Sequence, residues 1–259
     1  MKKGTMIQDQ HEFALYFSSL TDCLQSSNDK KVIILQDVEI CHRLVKVLRL
    51  VAGDNFILFD HFHHVTCILQ KVEKKNRVVV TVINIEKNRK LTPTIHFLLP
   101  LLKRDALHDA IYTLTELGAN AIHLVVTDKS QKRWPSRGYE KLMRIIYAAA
   151  EQSKNFAFPL LKEPQPLKQV LEGIDTFENR MFFFDPDGQP ISQVISRVRD
   201  EEKKFPIVLM IGPEGDLSIQ EKELVYKKGF IFTSLTPTIL RARQAVVVSL
   251  GIFRSFLSK

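Results

Sequence analysis

Three short segments in the second half of the chain are almost wholly apolar. They are Met181 to Phe184, Ile207 to Ile211 and Phe230 to Leu235. An antiparallel strand with one wet face alternates polar and apolar residues, whereas a strand covered on both faces, as in a parallel sheet, is continuously apolar. Stretches with helical spacing lie between these segments. This part of the chain is therefore predicted to be an α/β domain with a parallel sheet.

The helical stretches carry start and stop signals. Asp105 is expected to cap a helix that ends at Gly118, and Ser218 with Glu221 forms a capping box before a helix that ends at Gly229. The other elements of this region follow the same alternation and are predicted as helices at 139–153, 191–203 and 241–257 and strands at 94–99 and 121–127.

Residues 1–88 follow a different pattern, in which short strands surround one helix. Alternating strands are predicted at 31–35, 55–59, 64–72 and 77–85. Apolar residues at helical spacing predict a single short helix among them: Ile40, Leu44, Val47 and Leu48. Such a composition is typical of a small β-barrel. A charged segment at 86–90, followed by Thr92 and Pro93, is interpreted as a linker, so domains are predicted at 1–88 and 89–259.

The chain is basic, with 37 lysines and arginines against 29 acids, a net charge of +8 and an isoelectric point near 9.3. This excess favours a polyanionic partner, because contacts to phosphate release counterions, although many basic proteins bind no nucleic acid. The RNA-contact candidates are residues grouped on one predicted helix face or around the only tryptophan: Arg43, Lys46 and Arg49, and Lys129, Lys132, Arg133 and Trp134. For the second group, a solvated charged loop is the alternative interpretation.

Several classes of protein are disfavoured by what the sequence lacks. No apolar run resembles a signal peptide, and the apolar stretch 245–257 is too short to cross a bilayer and contains Arg254. Three cysteines without a CxxC pair make a disulfide framework improbable. Three histidines (61, 63 and 64) near Cys67 are expected in a solvated hairpin turn rather than at a metal. The chain is therefore expected to be cytoplasmic, without membrane segment or metal.

Two proline-containing loops follow predicted strands in the second domain. They run from Ile211 to Asp216 (IGPEGD) and from Leu235 to Arg241 (LTPTILR). Ligands of open α/β sheets collect at the carboxyl ends of the strands, where glycines allow a close approach to the backbone. Either loop alone could be an ordinary turn, but two on consecutive strands favour a binding site. Because no G-x-G-x-x-G and no P-loop occurs, a cofactor would need another kind of loop.

Short motifs occur in a fixed order over nearly the whole chain. They are His42, Val47-Leu48-Arg49, Gly53-Asp54, Thr115-Glu-Leu-Gly118, Ala149-Ala-Glu-Gln-Ser153, Gly212-Pro-Glu-Gly215, Leu217-Ser218, Glu221, Gly229-Phe230, Ser234-Leu235, Pro237 and Ile239-Leu240-Arg241. In order and spacing these motifs resemble the ribosomal RNA small subunit methyltransferase E family, which is of the SPOUT class.

The resemblance implies a trefoil-knotted C-terminal α/β domain, preceded by a PUA-like β-barrel that binds RNA. It also implies a homodimer that uses S-adenosylmethionine to methylate uridine N3 in the 16S rRNA of the small ribosomal subunit. Two alternatives stay open: a SPOUT methyltransferase with another target, and a non-catalytic RNA-binding or ribosome-assembly protein. The candidate dimer surfaces, which could equally be core, are helix 142–150 and an apolar group in the final helix: Val246, Val247, Leu250 and Phe253.

The resemblance also assigns the site residues. The cofactor would be bound by residues of the two loops: Ile211, Gly212, Glu214, Gly215, Leu235, Ile239, Leu240 and Arg241. Uridine N3 attacks poorly until it loses its proton. A cation at about 4 Å would stabilise the anion by roughly 4 kcal/mol at an effective dielectric near 20, and Arg241 or Arg49 could supply it. Arginine cannot be the base, which leaves Glu214 or hydroxide.

The sequence departs from the family pattern at several positions. Asp216 replaces a usual glycine, although aspartate tolerates a positive φ better than most residues. Residues 242–245 read Ala-Arg-Gln-Ala where Thr-Glu-Thr-Ala is usual, so Arg243 inverts a charge beside the site. Ala148 replaces a glutamate and Asn155 an arginine. These departures leave the target nucleotide open.

Overall fold

The structure is a computed structural model that describes residues 12–26, 31–73, 77–131, 138–175, 180–201 and 205–257. Three of the RNA-contact candidates, Lys132, Arg133 and Trp134, lie outside the described residues. The chain divides between Asn88 and Arg89 into two compact units.

The first unit contains a five-stranded sheet. Its strands are β1 (Phe13–Tyr16), β2 (Val32–Leu35), β3 (Asn55–Phe59), β4 (His63–Glu73) and β5 (Arg77–Lys87), and its helices are α1 (Leu20–Ser26) and α2 (Val38–His42). The strand order is β1-β3-β4-β5-β2, with β1 parallel to β3 and the other pairs antiparallel. All four predicted strands are present. The pattern did not predict β1 and α1, and β5 extends into the predicted linker.

The predicted helix of the first unit is interrupted. After α2 the chain continues as a π-helix, Arg43–Val47. Its wider turn rotates Val47 outward, so Val47 is 59% exposed, whereas Ile40 and Leu44 are buried as predicted. Arg49 lies beyond the π-helix with a φ of 56°. The expectation that Arg49 shares one helix face with Arg43 and Lys46 was therefore wrong.

The histidine-rich segment is a solvated turn only at His61, which is exposed between β3 and β4. His63 already lies in β4 and Cys67 is fully buried. The turn closes earlier because the buried carboxylate of Asp60 accepts hydrogen bonds from the backbone N–H groups of Phe62 and His63, at 2.7 and 2.8 Å. Within the described residues, no three histidine, cysteine or acidic side chains are grouped so that they could hold a metal ion.

The second unit is built on a six-stranded sheet, and the prediction that this sheet is parallel is confirmed. Its strands are β6 (Ile95–Pro100), β7 (Ala121–Val126), β8 (Leu160–Pro166), β9 (Arg180–Pro190), β10 (Ile207–Ile211) and β11 (Ile231–Ser234). The order is β11-β9-β10-β6-β7-β8, and every pair is parallel. Strand β8 was not predicted, because only its first two residues are apolar and charged residues, glutamine and two prolines follow them.

Six helices are described in this unit. They are α3 (Arg104–Glu116), α4 (Gly138–Ser153), α5 (Leu167–Glu172), α6 (Ile191–Glu201), α7 (Ile219–Lys227) and α8 (Ala242–Leu257). The capping box of Ser218 and Glu221 is present, and Gly118 and Gly229 have the positive φ expected of helix ends. Asp105 is not a cap: α3 begins one residue earlier, with Lys103 at the N-cap. Asp105 lies instead in the first turn, where a negative charge is still favourable.

Strand β11 differs from the prediction in one respect. It is an edge strand with Ile231 38% exposed, so it is not covered on both faces. Strand β9 lies between β11 and β10, so the loops after β10 and β11 do not follow neighbouring strands of the sheet. Gly188 of β9 allows the close approach of β11, because a Cβ there would lie 2.4 Å from the backbone nitrogen of Thr233.

Helix α8 packs mainly into the core of its own chain. Val246, Leu250 and Phe253 are fully buried within the second unit, whereas Val247 is 43% exposed. Val246, Leu250 and Phe253 therefore belong to the core, which was the alternative to a dimer surface. The same alternative holds for the buried face of α4. No helix among the described ranges combines the length and the apolar character that a membrane span requires.

Two histidines lie side by side on the sheet. His96 of β6 and His123 of β7 are stacked, with 3.3 Å between His123 Nε2 and His96 Nδ1. Burial, His96 and Lys162 lower the pKa of His123 to about 4, and burial with Lys162 and Lys90 lowers the pKa of His96. Both rings are therefore neutral at pH 7.

The second unit should lose stability in mild acid. The folded pKa of His123 lies below its unfolded value near 6.5, so the unfolded state binds more protons as the pH falls through this window, and His123 alone costs about 2 kcal/mol by pH 5. Urea unfolding, followed by circular dichroism, should show a smaller loss between pH 7 and pH 5 in His123→Gln. The exposed His42→Gln serves as control. An unchanged pH dependence in His123→Gln would contradict this assignment.

Candidate functional site

An open cavity of about 890 Å³ lies at the carboxyl edge of the parallel sheet. Three chain segments form most of its wall: the loop 211–216 after β10, the segment 239–245 at the start of α8, and the first turns of α3. Phe184 and Pro186 of β9 complete it. The carboxyl ends of parallel strands gather at one edge, so the segments that follow β6, β10 and β11 meet here beside residues of β9 itself.

Most of the predicted cofactor residues lie together at this cavity. Its lining includes six of them: Ile211, Gly212, Glu214, Ile239, Leu240 and Arg241. Leu235 lines a second cavity of about 50 Å³, which shares Phe184, Pro186 and Leu240 with the first. Gly215 is not in either lining. The two loops therefore meet although β9 separates their strands.

The loop 211–216 has a tight turn at Asp216. The backbone N–H of Asp216 donates to the carbonyl of Pro213 at 2.9 Å, and Asp216 adopts a φ of 61°. Its carboxylate folds back over Gly212, where a Cβ would lie 3.1 Å from Oδ1. The expectation that aspartate can occupy this glycine-like conformation is confirmed.

Side chains from α7 and from the segment after β7 hold the same loop in place. The buried carboxylate of Glu221 accepts hydrogen bonds from the backbone nitrogens of Ser218 and Asp128, each at 2.9 Å. The ammonium of Lys129 donates to the carbonyl of Gly215 at 3.0 Å. Lys129, one of the RNA-contact candidates, thus holds this loop, and its contact with RNA stays a prediction. Sequence spacing carries no signal for a contact between residues 129 and 215.

The charges around the cavity are mixed. Its lining contains three cationic side chains, Lys103, Arg241 and Arg243, and four carboxylates, Asp105, Asp109, Glu214 and Asp216. The cavity is thus slightly acidic in a chain of net charge +8. Sequence reasoning missed Lys103, Asp105 and Asp109, although the carboxyl-edge rule applies to the segment after β6 as well.

The two arginines differ in their partners. Arg243 Nη1 forms an ion pair with Asp109 Oδ2 at 2.7 Å, so the inverted charge at position 243 is matched by an acid on α3. Arg241 is exposed at the cavity and, within the described residues, its guanidinium has no hydrogen bond or ion pair. Glu214 is also exposed, and its Oε1 accepts a long hydrogen bond of 3.4 Å from the backbone nitrogen of Lys103. Arg241 and Glu214 are therefore both accessible to a ligand.

The arrangement suits a ligand with apolar and charged parts. Ile211, Phe184 and Leu240 supply apolar surface, and the loop backbone lies next to them at Gly212. Cavities of about 300–1,000 Å³ that combine apolar walls with a few polar groups are typical of small-molecule sites.

Known proteins are similar to this chain in sequence and in fold. Residues 89–254 match the family model described as the RNA methyltransferase domain. Ribosomal RNA small subunit methyltransferase E of Bacillus subtilis (strain 168) is 28% identical over 220 residues, 81% of this chain and 85% of that protein. Ribosomal RNA small subunit methyltransferase E 2 of Borreliella burgdorferi is 27% identical over 240 residues, 87% and 92% of the two chains.

Among solved structures, a ribosomal RNA small subunit methyltransferase E from Neisseria gonorrhoeae, bound to S-adenosyl methionine, is similar with a TM-score of 0.80. It is 21% identical, and the match covers 96% of this chain and 99% of that one. The sequence matches confirm the family that the motifs resemble, and the structural match shows that the mixed α/β fold with its parallel sheet is shared.

Removal of the Glu221 carboxylate should weaken the contacts that hold the loop after β10. Glu221→Ala leaves the N–H groups of Ser218 and Asp128 without an acceptor, which should lower the free energy of unfolding by about 1–3 kcal/mol. Glu223→Ala on the same helix is the matched control, because Glu223 is exposed and pairs only with Lys227 at 3.5 Å among the contacts described. Urea denaturation measures both variants. Equal stability of the two would contradict this role of Glu221.

Proposed function

The chain belongs to the RNA methyltransferase domain family, and from this premise we propose that it methylates N3 of uridine in 16S rRNA of the small ribosomal subunit, with S-adenosylmethionine as methyl donor. The observation that carries the proposal is the meeting of the loops 211–216 and 239–241 at one cavity. The named function of the curated relatives, ribosomal RNA small subunit methylation, supports it. The reaction would take place in the cytoplasm.

The cavity fits this cofactor in size and charge. S-adenosylmethionine supplies a methyl group on a cationic sulfonium and carries a net positive charge at neutral pH. The cavity has an excess of carboxylates over cationic groups in a basic chain, which suits such a ligand. Its volume of about 890 Å³ also leaves space for part of a nucleotide.

The loops would divide the binding of the cofactor between backbone and side chains. The backbone around Gly212, together with Gly215, would read the adenine edge, and apolar side chains would cover its faces. The residues proposed for these roles are Ile211, Gly212, Glu214, Gly215, Leu235, Ile239, Leu240 and Arg241, all of which except Gly215 line one of the two cavities.

Arg241 would stabilise the substrate anion. Uridine N3 must lose its proton before it becomes a good nucleophile, and a guanidinium nearby favours the deprotonated form. Arg241 suits this role because it is exposed at the cavity and its charge is not neutralised by an acid within the described residues. Arginine stays protonated, so the N3 proton would pass to Glu214 or to hydroxide.

The remaining family features are proposals of the same kind. We propose that the five-stranded first unit is the PUA-like RNA-binding domain and that its basic residues Arg43, Lys46 and Arg49 contact the rRNA. We also propose a trefoil knot in the second unit and a homodimer. Exposed apolar side chains on α8, Val247 and Phe256, support a dimer surface on this helix.

Mass mapping of methylated nucleotides tests the activity. Small ribosomal subunits from a strain without the gene, incubated with the purified protein and S-adenosylmethionine, should gain one methyl group on N3 of a 16S rRNA uridine. A methyl group on another nucleotide or another RNA would indicate a SPOUT enzyme of shifted specificity. No methylation and no cofactor binding would support a non-catalytic RNA-binding protein.

In the same assay Arg241→Ala should lower the rate of transfer by about 10²–10³-fold, the usual loss when one group that stabilises a developing anion is removed. Its urea midpoint should stay unchanged, because Arg241 is exposed. Arg144→Ala, which removes an exposed arginine of α4 outside the cavity lining, is the matched control. Full activity of Arg241→Ala would remove this arginine from the mechanism.

A further inference from the structure

Lys222 of α7 joins two segments of the cavity wall without lining the cavity itself. Its Nζ lies 2.7 Å from Asp185 Oδ2 and 2.7 Å from Asp216 Oδ2. Asp185 belongs to β9, between the lining residues Phe184 and Pro186, and Asp216 ends the loop after β10. One ammonium group therefore links the middle of β9 to the loop 211–216.

The Asp185 end of this link is firmly held. Asp185 is only 5% exposed, and its other oxygen accepts a hydrogen bond from the backbone N–H of Asp187 at 2.9 Å. A buried carboxylate needs a charged or hydrogen-bonding partner, and Lys222 supplies the charge. Burial alone would lower the pKa of Lys222, but its hydrogen bonds to Asp185 and Asp216 hold it above the usual value.

The Asp216 end controls the shape of the loop. Asp216 Oδ1 accepts a hydrogen bond from the N–H of Leu217 at 2.7 Å, while Oδ2 forms the ion pair with the ammonium of Lys222. The same carboxylate lies over Gly212, and the residue has a left-handed φ of 61°. The carboxylates of Asp185 and Asp216 both lie 2.7 Å from the same ammonium. Without Lys222 they would repel each other, and the exposed carboxylate of Asp216 would move away from Gly212.

We propose that Lys222 is a positioning residue for the cofactor: through Asp185 and Asp216 it holds the loop 212–216 in the conformation that binds. This inference rests on the proposed function. Lys222 acts on the shape of the wall rather than on the reacting atoms. Its loss should therefore weaken cofactor binding more than it slows the transfer step at saturating cofactor.

Titration calorimetry with S-adenosylmethionine on the full chain tests the proposal. Lys222→Met should raise the dissociation constant by about 10–100-fold, while Lys222→Arg, which can reach both carboxylates, should stay within a few-fold of wild type. Lys227→Met is the matched control, since Lys227 lies on the same helix and pairs with the exposed Glu223. Kinetics should show a raised KM for the cofactor with a nearly unchanged kcat.

Asp216→Asn provides the second arm, because it leaves the pair of Lys222 and Asp185 intact. It should also weaken binding, with an unchanged thermal midpoint, and adding Lys222→Met to it should cause no further loss of affinity. If the wild-type chain binds the cofactor, two results would overturn the proposal. One is a double variant whose loss of affinity is the sum of the two single losses, and the other is a Lys222→Met variant with wild-type affinity. No binding by the wild-type chain would instead overturn the proposed function.

Discussion

The parallel pairing of β9 with both β10 and β11 is the constraint on which the site depends. The loops after β10 and β11 belong to strands that do not touch in the sheet, and β9 lies between them. Both loops reach the middle of β9, where Phe184 and Pro186 line the two cavities. The close approach of β11 at Gly188 allows this arrangement, since any side chain there would meet the backbone of β11.

Behind the cavity wall, polar contacts hold the loop after β10 in place. Lys129 donates a hydrogen bond to the carbonyl of Gly215, and Glu221 accepts one from the N–H of Ser218. Lys222 forms an ion pair with the carboxylate of Asp216. The binding surface itself stays accessible, because its own charged groups, Arg241 and Glu214, are exposed. A rigid backing with an accessible surface is what a site needs if it must bind a small molecule and an RNA nucleotide in one cavity.

The sequence predicted the elements whose signals are local. The parallel sheet followed from apolar runs such as 207–211, and the capping box at Ser218 followed from spacing. Strand β8 was missed because polar residues and two prolines follow its two leucines, and the π-helix rotated Val47 outward against the helical pattern. Of the site, both loops were predicted from their prolines and glycines. The ion pairs of Arg243 and Lys222 were not, because they join residues far apart in the chain that only the fold brings together.

A crystal structure of the chain with S-adenosylhomocysteine, the product form of the proposed cofactor, tests the central claim most directly: the two loops form one pocket for a methyl donor. The expected result is the ligand bound between the loop 211–216 and residues 239–241, with Ile211 and Leu240 against its adenine. A ligand bound elsewhere on the chain, or the two loops found apart, would contradict the claim.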